Sequence, residues 1–128
     1  MKKLFVLPIS ILILLAACQA DENDLVFNGT SENWSAQLTI SVLNGSETNN
    51  LELTYKGNDL DTIGAFNYYV ENTDRGTNFG GNNVKLSKNG IFTNDDLSSN
   101  SPATTNTDTY IISIDWNGNS EEIVINED

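Results

Sequence analysis

The sequence contains no histidine and only one cysteine, Cys18. Catalytic pairs of a nucleophile with an imidazole need histidine, as do 2-His-1-carboxylate iron sites, and Cys/His zinc sites need several such ligands. The sequence therefore excludes all three kinds of site. It also lacks the one side chain whose unperturbed pKa lies close to neutral pH. The remaining chemistry is that of carboxylates, amides, hydroxyls and aromatic rings.

Basic residues are also scarce. The chain has 6 Lys and Arg against 18 Asp and Glu, a formal net charge of −12. Lys2 and Lys3 precede position 17, so the residues after it carry all 18 acidic side chains against four basic ones, a formal charge of −14. Nucleic-acid binding depends on cationic side chains that displace counterions from phosphates. The sequence therefore predicts no nucleic-acid partner.

Only one long apolar run is present, from Leu4 to Leu15. It follows two lysines and ends at small residues, which is the layout of an export signal with an apolar middle of about 7–15 residues. A membrane-spanning helix needs about 20 apolar residues, and Pro8 further disfavours a permanent helix. The run is therefore predicted to be a signal peptide.

The residues that close this run, Leu15, Ala16, Ala17 and Cys18, resemble the lipobox of bacterial prolipoproteins. In that family the cysteine is alkylated by diacylglycerol and becomes the first residue after cleavage. The resemblance implies that residues 1–17 are a cleaved lipoprotein signal peptide and that Cys18 is lipidated. Acyl chains such as palmitate contribute about 0.8 kcal/mol per buried CH₂, so two chains on one residue give a durable membrane anchor. The alternatives are an ordinary cleaved signal with an incidental cysteine, and an uncleaved anchor.

After the cysteine, residues 18–24 are polar and acidic, which predicts a flexible linker. Residues 25–128 are then expected to form one domain, because the 111 residues after position 17 match the commonest domain size. No window of ten or more residues in this part shows the spacing of an amphipathic helix.

Apolar and polar residues instead alternate in several segments, the pattern of strands with one buried face. The sequence therefore predicts an all-β fold, a single immunoglobulin-like β-sandwich of about 7–8 antiparallel strands, with a small β-barrel as the alternative. The residues predicted to face the core are Trp34, Ala36, Leu38, Ile40 and Val42; Leu51, Leu53 and Tyr55; Tyr110, Ile112, Ile114 and Trp116; and Ile123 and Ile125.

Turns and loops are predicted from Asn-Gly pairs and from polar stretches. An Asn-Gly pair supplies the positive φ angles that tight hairpin turns need. The pair at Asn117 lies between two alternating segments and predicts a C-terminal hairpin. Residues 76–83 are glycine-rich and residues 94–108 contain almost nothing apolar, so both are predicted to be loops, the longer one either mobile or a binding loop. The Asn-Gly pairs begin at Asn28, Asn44, Asn89 and Asn117.

A candidate contact residue lies in the segment FNYYV. Alternation places Phe66, Tyr68 and Val70 on one face of the predicted strand and Tyr69 on the other, beside polar neighbours. An outward tyrosine suits an interface because it buries a large area at low entropic cost. Packing against a neighbouring strand is the alternative interpretation.

Two acidic clusters are weak candidates for calcium. Asp59 and Asp61 form one, and Asp95 and Asp96 form the other; carboxylate and amide oxygens suit this cation. The alternative is that Asn and Asp occur there as turn residues.

Paired carboxylates about 5–9 Å apart could also hydrolyse a glycoside, but no motif in the sequence predicts a raised pKa for either carboxylate of such a pair. We expect no catalytic residue, no bound metal beyond weak calcium, and no cofactor.

Three segments, VFNGTSENW, YKG at Tyr55–Gly57 and ISIDWNGNSEEIVI, resemble small lipoproteins of low-GC Gram-positive bacteria of the Bacillus type. The resemblance implies a β fold at the cell envelope, facing outward, or facing the periplasm if the cell is Gram-negative. It implies no reaction, since its motifs are turns and core tryptophans.

The expected function is that of a membrane-anchored extracytoplasmic lipoprotein with a non-enzymatic binding or structural role, whose partner is a protein or a cell-wall component. One alternative is an immunity or inhibitor-type lipoprotein that binds a basic secreted protein, to which the acidic surface would be attracted. The other is a small carboxylate-dependent hydrolase.

Overall fold

The computed structural model describes residues 24–43, 46–99 and 104–127. The predicted signal peptide, most of the linker, the lipobox with Cys18 and the Asn-Gly pair at Asn44 lie outside these residues. The described part contains eight antiparallel strands and one short 3-10 helix, Leu60–Thr62. The strands are β1 Leu25–Thr30, β2 Trp34–Leu43, β3 Ser46–Tyr55, β4 Ala65–Asn72, β5 Thr77–Lys85, β6 Ile91–Ser99, β7 Tyr110–Trp116 and β8 Asn119–Glu127.

All eight strands belong to one sheet in the order β5-β4-β7-β8-β1-β2-β3-β6. The sheet folds on itself into two halves of four strands, joined where β1 pairs with β8 through Phe27↔Glu127 and Asn28↔Asn126. The prediction of an all-β fold with seven or eight antiparallel strands is therefore confirmed. The nearly closed shape fits a β-sandwich and the alternative, a small β-barrel.

The inner faces of the two halves meet through aromatic rings. Phe92 of β6 packs against Phe66 and Tyr68 of β4, with ring centroids 5.7 and 5.2 Å apart. Tyr68 Oη also accepts a hydrogen bond of 2.6 Å from Asn94 Nδ2 of β6. These contacts pack β6, one edge strand, against β4, the neighbour of the other edge strand, around one core.

The core consists of the inward residues of the alternating segments, as predicted. Tyr55 is half-buried, and Val42 lies outside the described side chains. Trp34 is fully buried and its ring centroid lies 5.4, 5.2 and 5.5 Å from those of Tyr55, Phe66 and Trp116. The buried members of the predicted set are Trp34, Ala36, Leu38, Ile40, Leu51, Leu53, Tyr110, Ile112, Ile114, Trp116, Ile123 and Ile125.

The Asn-Gly predictions have mixed outcomes. Asn117 and Gly118 have φ angles of 45° and 80° and connect β7 to β8, so the C-terminal hairpin is confirmed. Gly90, with φ 80°, lies in the turn before β6. The prediction of a turn at Asn28 is wrong, because Asn28 and Gly29 lie within β1. A Cβ at Gly29 would be 2.2 Å from the Val124 carbonyl oxygen, so this glycine allows β8 to approach.

The shorter predicted loop is wrong over almost all of its length, and the longer one is wrong over residues 94–99. Residues 77–83 belong to β5, which pairs with β4, and residues 94–99 belong to β6, which pairs with β3. In the longer predicted loop, residues 104–108 lie outside strands, as predicted, and residues 100–103 are not described. Backbone pairing with a neighbouring strand imposes extended structure even where the side chains have low β-propensity. Both strands lie at edges of the sheet, where fewer side chains need to be buried.

In the part of the chain that the structure describes, no helix has the length and apolar character needed to cross a membrane.

Replacing the central tryptophan should show how far the fold depends on the packing of the two halves. We expect Trp34→Ala to lower the free energy of unfolding by about 3–5 kcal/mol, because a large fully buried ring is removed. Urea unfolding followed by far-ultraviolet circular dichroism measures this change. Trp34→Phe should cost less, since a ring still packs against Phe66 and Trp116. A loss below about 1 kcal/mol for Trp34→Ala would contradict this account of the core.

Candidate functional site

The outer face of the half formed by β5, β4, β7 and β8 carries the exposed tyrosine that the alternation predicts. Phe66, Tyr68 and Val70 are buried, whereas Tyr69 is 45% exposed. Among the described residues, Tyr69 and Val124 are the two large apolar side chains that are exposed. Both project from this half of the sheet.

The register of β4, β5 and β7 determines which residues surround Tyr69. Tyr69 lies opposite Ser113 of β7 and Gly80 of β5, and Asn67 lies opposite Asp115 of β7. A glycine opposite the tyrosine leaves that side of the ring without a covering side chain. We define the Tyr69 face by five residues: Asn67, Tyr69, Asn82, Ser113 and Asp115.

Two shallow grooves follow this face. The first has a volume of about 350 Å³ and is lined by the five residues of the Tyr69 face together with Tyr68, Gly80 and Gly81. The second, of about 480 Å³, shares Asn67 and Asp115 with the first and continues past Trp116 to the β7–β8 turn. Both are open grooves on the surface and not enclosed cavities. The grooves together form one elongated surface.

A β-bulge in β5 shapes this surface. The register changes from Phe66↔Val84 to Tyr68↔Gly81, so Asn82 and Asn83 lie opposite a single residue of β4. Asn83 has a φ of 59°, which asparagine tolerates better than most residues, and its N–H donates a 2.8 Å hydrogen bond to Asn67 Oδ1. Bulges re-aim side chains. Here the bulge places two exposed amides beside the grooves.

Several polar groups of the Tyr69 face are not engaged with the protein. Within the described parts of the chain, Asn67 Nδ2, Tyr69 Oη, Ser113 Oγ and the Asn82 amide have no hydrogen-bond partner. Asp115 accepts a hydrogen bond from Ser120 Oγ through Oδ1. The face therefore presents an aromatic ring together with donors and acceptors that a ligand can use.

Glu121, by contrast, uses both its carboxylate oxygens within the protein. They accept hydrogen bonds from Ser31 Oγ, the Asn33 N–H and Asn33 Nδ2, which hold the β1–β2 turn against β8. Burial alone would raise the pKa of Glu121, but these hydrogen bonds and the charge of Lys56 outweigh it and lower the pKa.

Asp108 is engaged in the same way, at 3% exposure. It accepts hydrogen bonds of 3.0 Å from Asn72 Nδ2, 3.1 Å from Arg75 Nε and 3.0 Å from Thr105 Oγ1. Burial would raise the pKa of Asp108, but the bonds from Asn72, Arg75 and Thr105 hold the pKa below its ordinary value. A general acid needs a raised pKa. The bonding of Asp108 and Glu121 is thus suited to holding the fold together and not to donating protons.

The calcium candidates are not brought together. Asp59 and Asp61 are exposed at the 3-10 helix, and Asp61 lines a groove of about 420 Å³ that also contains Lys85 and Lys88. Asp95 and Asp96 lie in strand β6 and not in a turn, and their side chains are outside the described set. Among the residues described, no three or more His, Cys, Asp or Glu side chains form a group that could hold a metal ion.

Sequence reasoning identified Tyr69 but missed Asn82, Ser113 and Asp115. Ser113 and Asp115 are the outward positions of a strand whose inward positions were identified correctly. Nothing in the alternation shows which strand lies beside β4, so the sequence does not predict that Ser113 and Asp115 lie close to Tyr69. The glycine-rich pattern predicts a loop at Asn82, and not a strand.

Comparison with known proteins gives no match: no family model fits the chain, and neither a curated protein nor a solved structure is significantly similar to it.

The lowered pKa values of Glu121 and Asp108, which both accept several hydrogen bonds, predict acid sensitivity. A group with a lowered pKa in the folded state contributes stability above its unfolded pKa and loses that contribution as the pH falls. We expect the free energy of unfolding to decline as the pH falls below the ordinary values of 4.5 for Glu121 and 3.8 for Asp108. Urea unfolding at a series of pH values between neutrality and strong acid measures this decline.

Variants of the two carboxylates test the assignment. Asp108→Asn and Glu121→Gln should each lower stability at pH 7, by about 1–3 kcal/mol, because their hydrogen-bond donors lose a charged acceptor. Each should also flatten the decline in acid. The exposed neighbour Glu122, changed to Gln, is the matched control and should follow the parent protein. A parent-like acid profile in both Asp108→Asn and Glu121→Gln would show that other groups cause the decline.

Proposed function

We propose that this protein is a membrane-tethered extracytoplasmic binding domain, anchored through diacylglycerol on Cys18, which contacts its ligand through the Tyr69 face and catalyses no reaction. The observation that carries the binding role is the contrast between the two kinds of polar site. Asp108 and Glu121 are fully engaged within the protein, whereas the Tyr69 face combines an exposed ring with polar groups that have no partner among the described residues.

The position of the Tyr69 face supports this role. β1 begins at Leu25, directly after the linker, and β8 runs antiparallel to it with Glu127 opposite Phe27. The β7–β8 turn at Asn117 therefore lies at the end of the sheet away from Leu25. The second groove of the Tyr69 face extends to this turn. A domain tethered at its Leu25 end would present that groove away from the membrane.

The lipid anchor is tested by metabolic labelling with palmitate in a Gram-positive host. We expect the wild-type protein to be labelled and to enter the detergent phase of a detergent–water partition, because two acyl chains on one residue bind membranes durably. Globomycin, which blocks cleavage at lipoboxes, should cause a longer precursor to accumulate. Cys18→Ala should be unlabelled and should keep residues 1–17, because cleavage at a lipobox follows alkylation of the cysteine. Unlabelled wild-type protein, or labelled Cys18→Ala, would contradict the proposed anchor.

The binding face is tested by placing the photo-reactive residue p-benzoylphenylalanine at position 69 and irradiating intact cells. We expect an adduct of increased mass, since the exposed ring contacts the ligand directly. The control places the same residue at Gln37, which is exposed on the outer face of the other half of the sheet. The proposal is wrong if position 69 forms no adduct, or if position 37 forms the same adduct equally well.

A further inference from the structure

We infer that the ligand of the Tyr69 face is an uncharged, β-linked saccharide chain. This inference rests on the proposed function and deepens it. A sugar ring offers two kinds of contact: its axial C–H groups pack against the face of an aromatic ring, and its hydroxyls both donate and accept hydrogen bonds. The Tyr69 face supplies the complementary set, since Tyr69 provides the ring and Asn67, Asn82, Ser113 and Asp115 provide amide, hydroxyl and carboxylate groups.

The charge of the face argues for an uncharged ligand. Neither groove is lined by a lysine or arginine, and Asp115 lines both. Glu71 and Glu122 are exposed close by, because Glu71 is two residues from Tyr69 and Glu122 lies opposite Ser113. These carboxylates would repel phosphate-containing or uronic acid polymers. The exposed amides of Asn67 and Asn82 each offer donors and an acceptor, which match a ligand whose hydroxyls do both.

The shape of the face argues for a chain and for β-linkage. The two grooves share Asn67 and Asp115, so a ligand can continue from one into the other. From Tyr69 to Ala65, which lines the second groove, β4 extends about 13 Å at about 3.3 Å per residue. This length exceeds a single sugar ring. A β-1,4-linked chain is a flat ribbon that can lie along the face of a sheet, whereas an α-1,4-linked chain curls.

The test uses the full protein purified from membranes in a zwitterionic detergent, which has no sugar headgroup to compete. Isothermal titration calorimetry with cellohexaose and with chitohexaose, two uncharged β-1,4 hexasaccharides, should detect binding to at least one. Maltohexaose, with α-1,4 linkages, and hexagalacturonate, which is anionic, should bind at least about tenfold more weakly than that hexasaccharide. Equal affinity for maltohexaose or for hexagalacturonate would overturn the inference.

Substitutions of the two exposed apolar residues test where the hexasaccharide binds. Tyr69→Ala should weaken the affinity about tenfold, as expected for the loss of one ring contact. Tyr69→Phe should remain within about threefold, because the ring is kept. Val124→Ala, a change of the other exposed apolar residue on the same half of the sheet, is the matched control and should bind like the wild type. Unchanged affinity in Tyr69→Ala would overturn the inference.

A measurement without substitutions covers the case in which Tyr69→Ala folds poorly. The chain has four tyrosines, and ring-labelled protein should show one shifted tyrosine resonance on addition of the hexasaccharide, that of Tyr69. Shifts confined to Tyr55, Tyr68 or Tyr110 would place binding elsewhere and overturn the inference.

The outcomes also distinguish a failure of the saccharide inference from a failure of the proposed binding role. If both β-linked hexasaccharides fail while an adduct forms at position 69 in cells, the face binds a ligand of another class. Salt-sensitive binding of cytochrome c, a basic protein, in place of the hexasaccharides would identify that class as cationic protein. If position 69 also forms no adduct, the binding role itself is wrong.

Discussion

The short pairing between β1 and β8 is the contact on which the architecture depends. Among the described residues it joins the two halves of the sheet through two residue pairs, and Gly29 allows the close approach because any larger residue would collide with the Val124 carbonyl. This junction turns an eight-stranded sheet into two opposed layers. Once the layers face each other, Trp34 and Phe66 bury their rings between them, and the hydrophobic effect stabilises the closed form.

The same folding sorts the polar residues into two populations. At the ends and seams of the sheet, Asp108 is buried and Glu121 is half-buried, and a charge withdrawn from water is stable only with hydrogen-bond partners. Their lowered pKa values reflect those partners. On the outer face, solvent satisfies polar groups at little cost, so the amides and hydroxyls around Tyr69 need no internal partner. Groups in the first population hold the fold together, and groups in the second are available for a ligand.

Much of the fold was accessible from the pattern of the sequence, because burial of one face imposes a period of two on a strand. Trp34 in β2 and Ile112 in β7 are buried where alternation placed them. β5 and β6 were missed because an edge strand needs few apolar residues; pairing with β4 or β3 supplies its hydrogen bonds. Of the candidate site, Tyr69 was identified by the same alternation, but its neighbours on β5 and β7 were not.

The sequence by itself determined which kinds of catalytic and metal site the chain cannot form, its negative charge, its strand periodicity and the outward orientation of Tyr69. Each of these follows from composition or from contacts between near neighbours in the chain. Only the tertiary structure decided that Ser113 and Asp115 lie beside Tyr69, because strand order and register arise from the closure of the whole core. The position of the bulge at Asn82 and Asn83 likewise depends on pairing with β4, although asparagine at position 83 suits its positive φ.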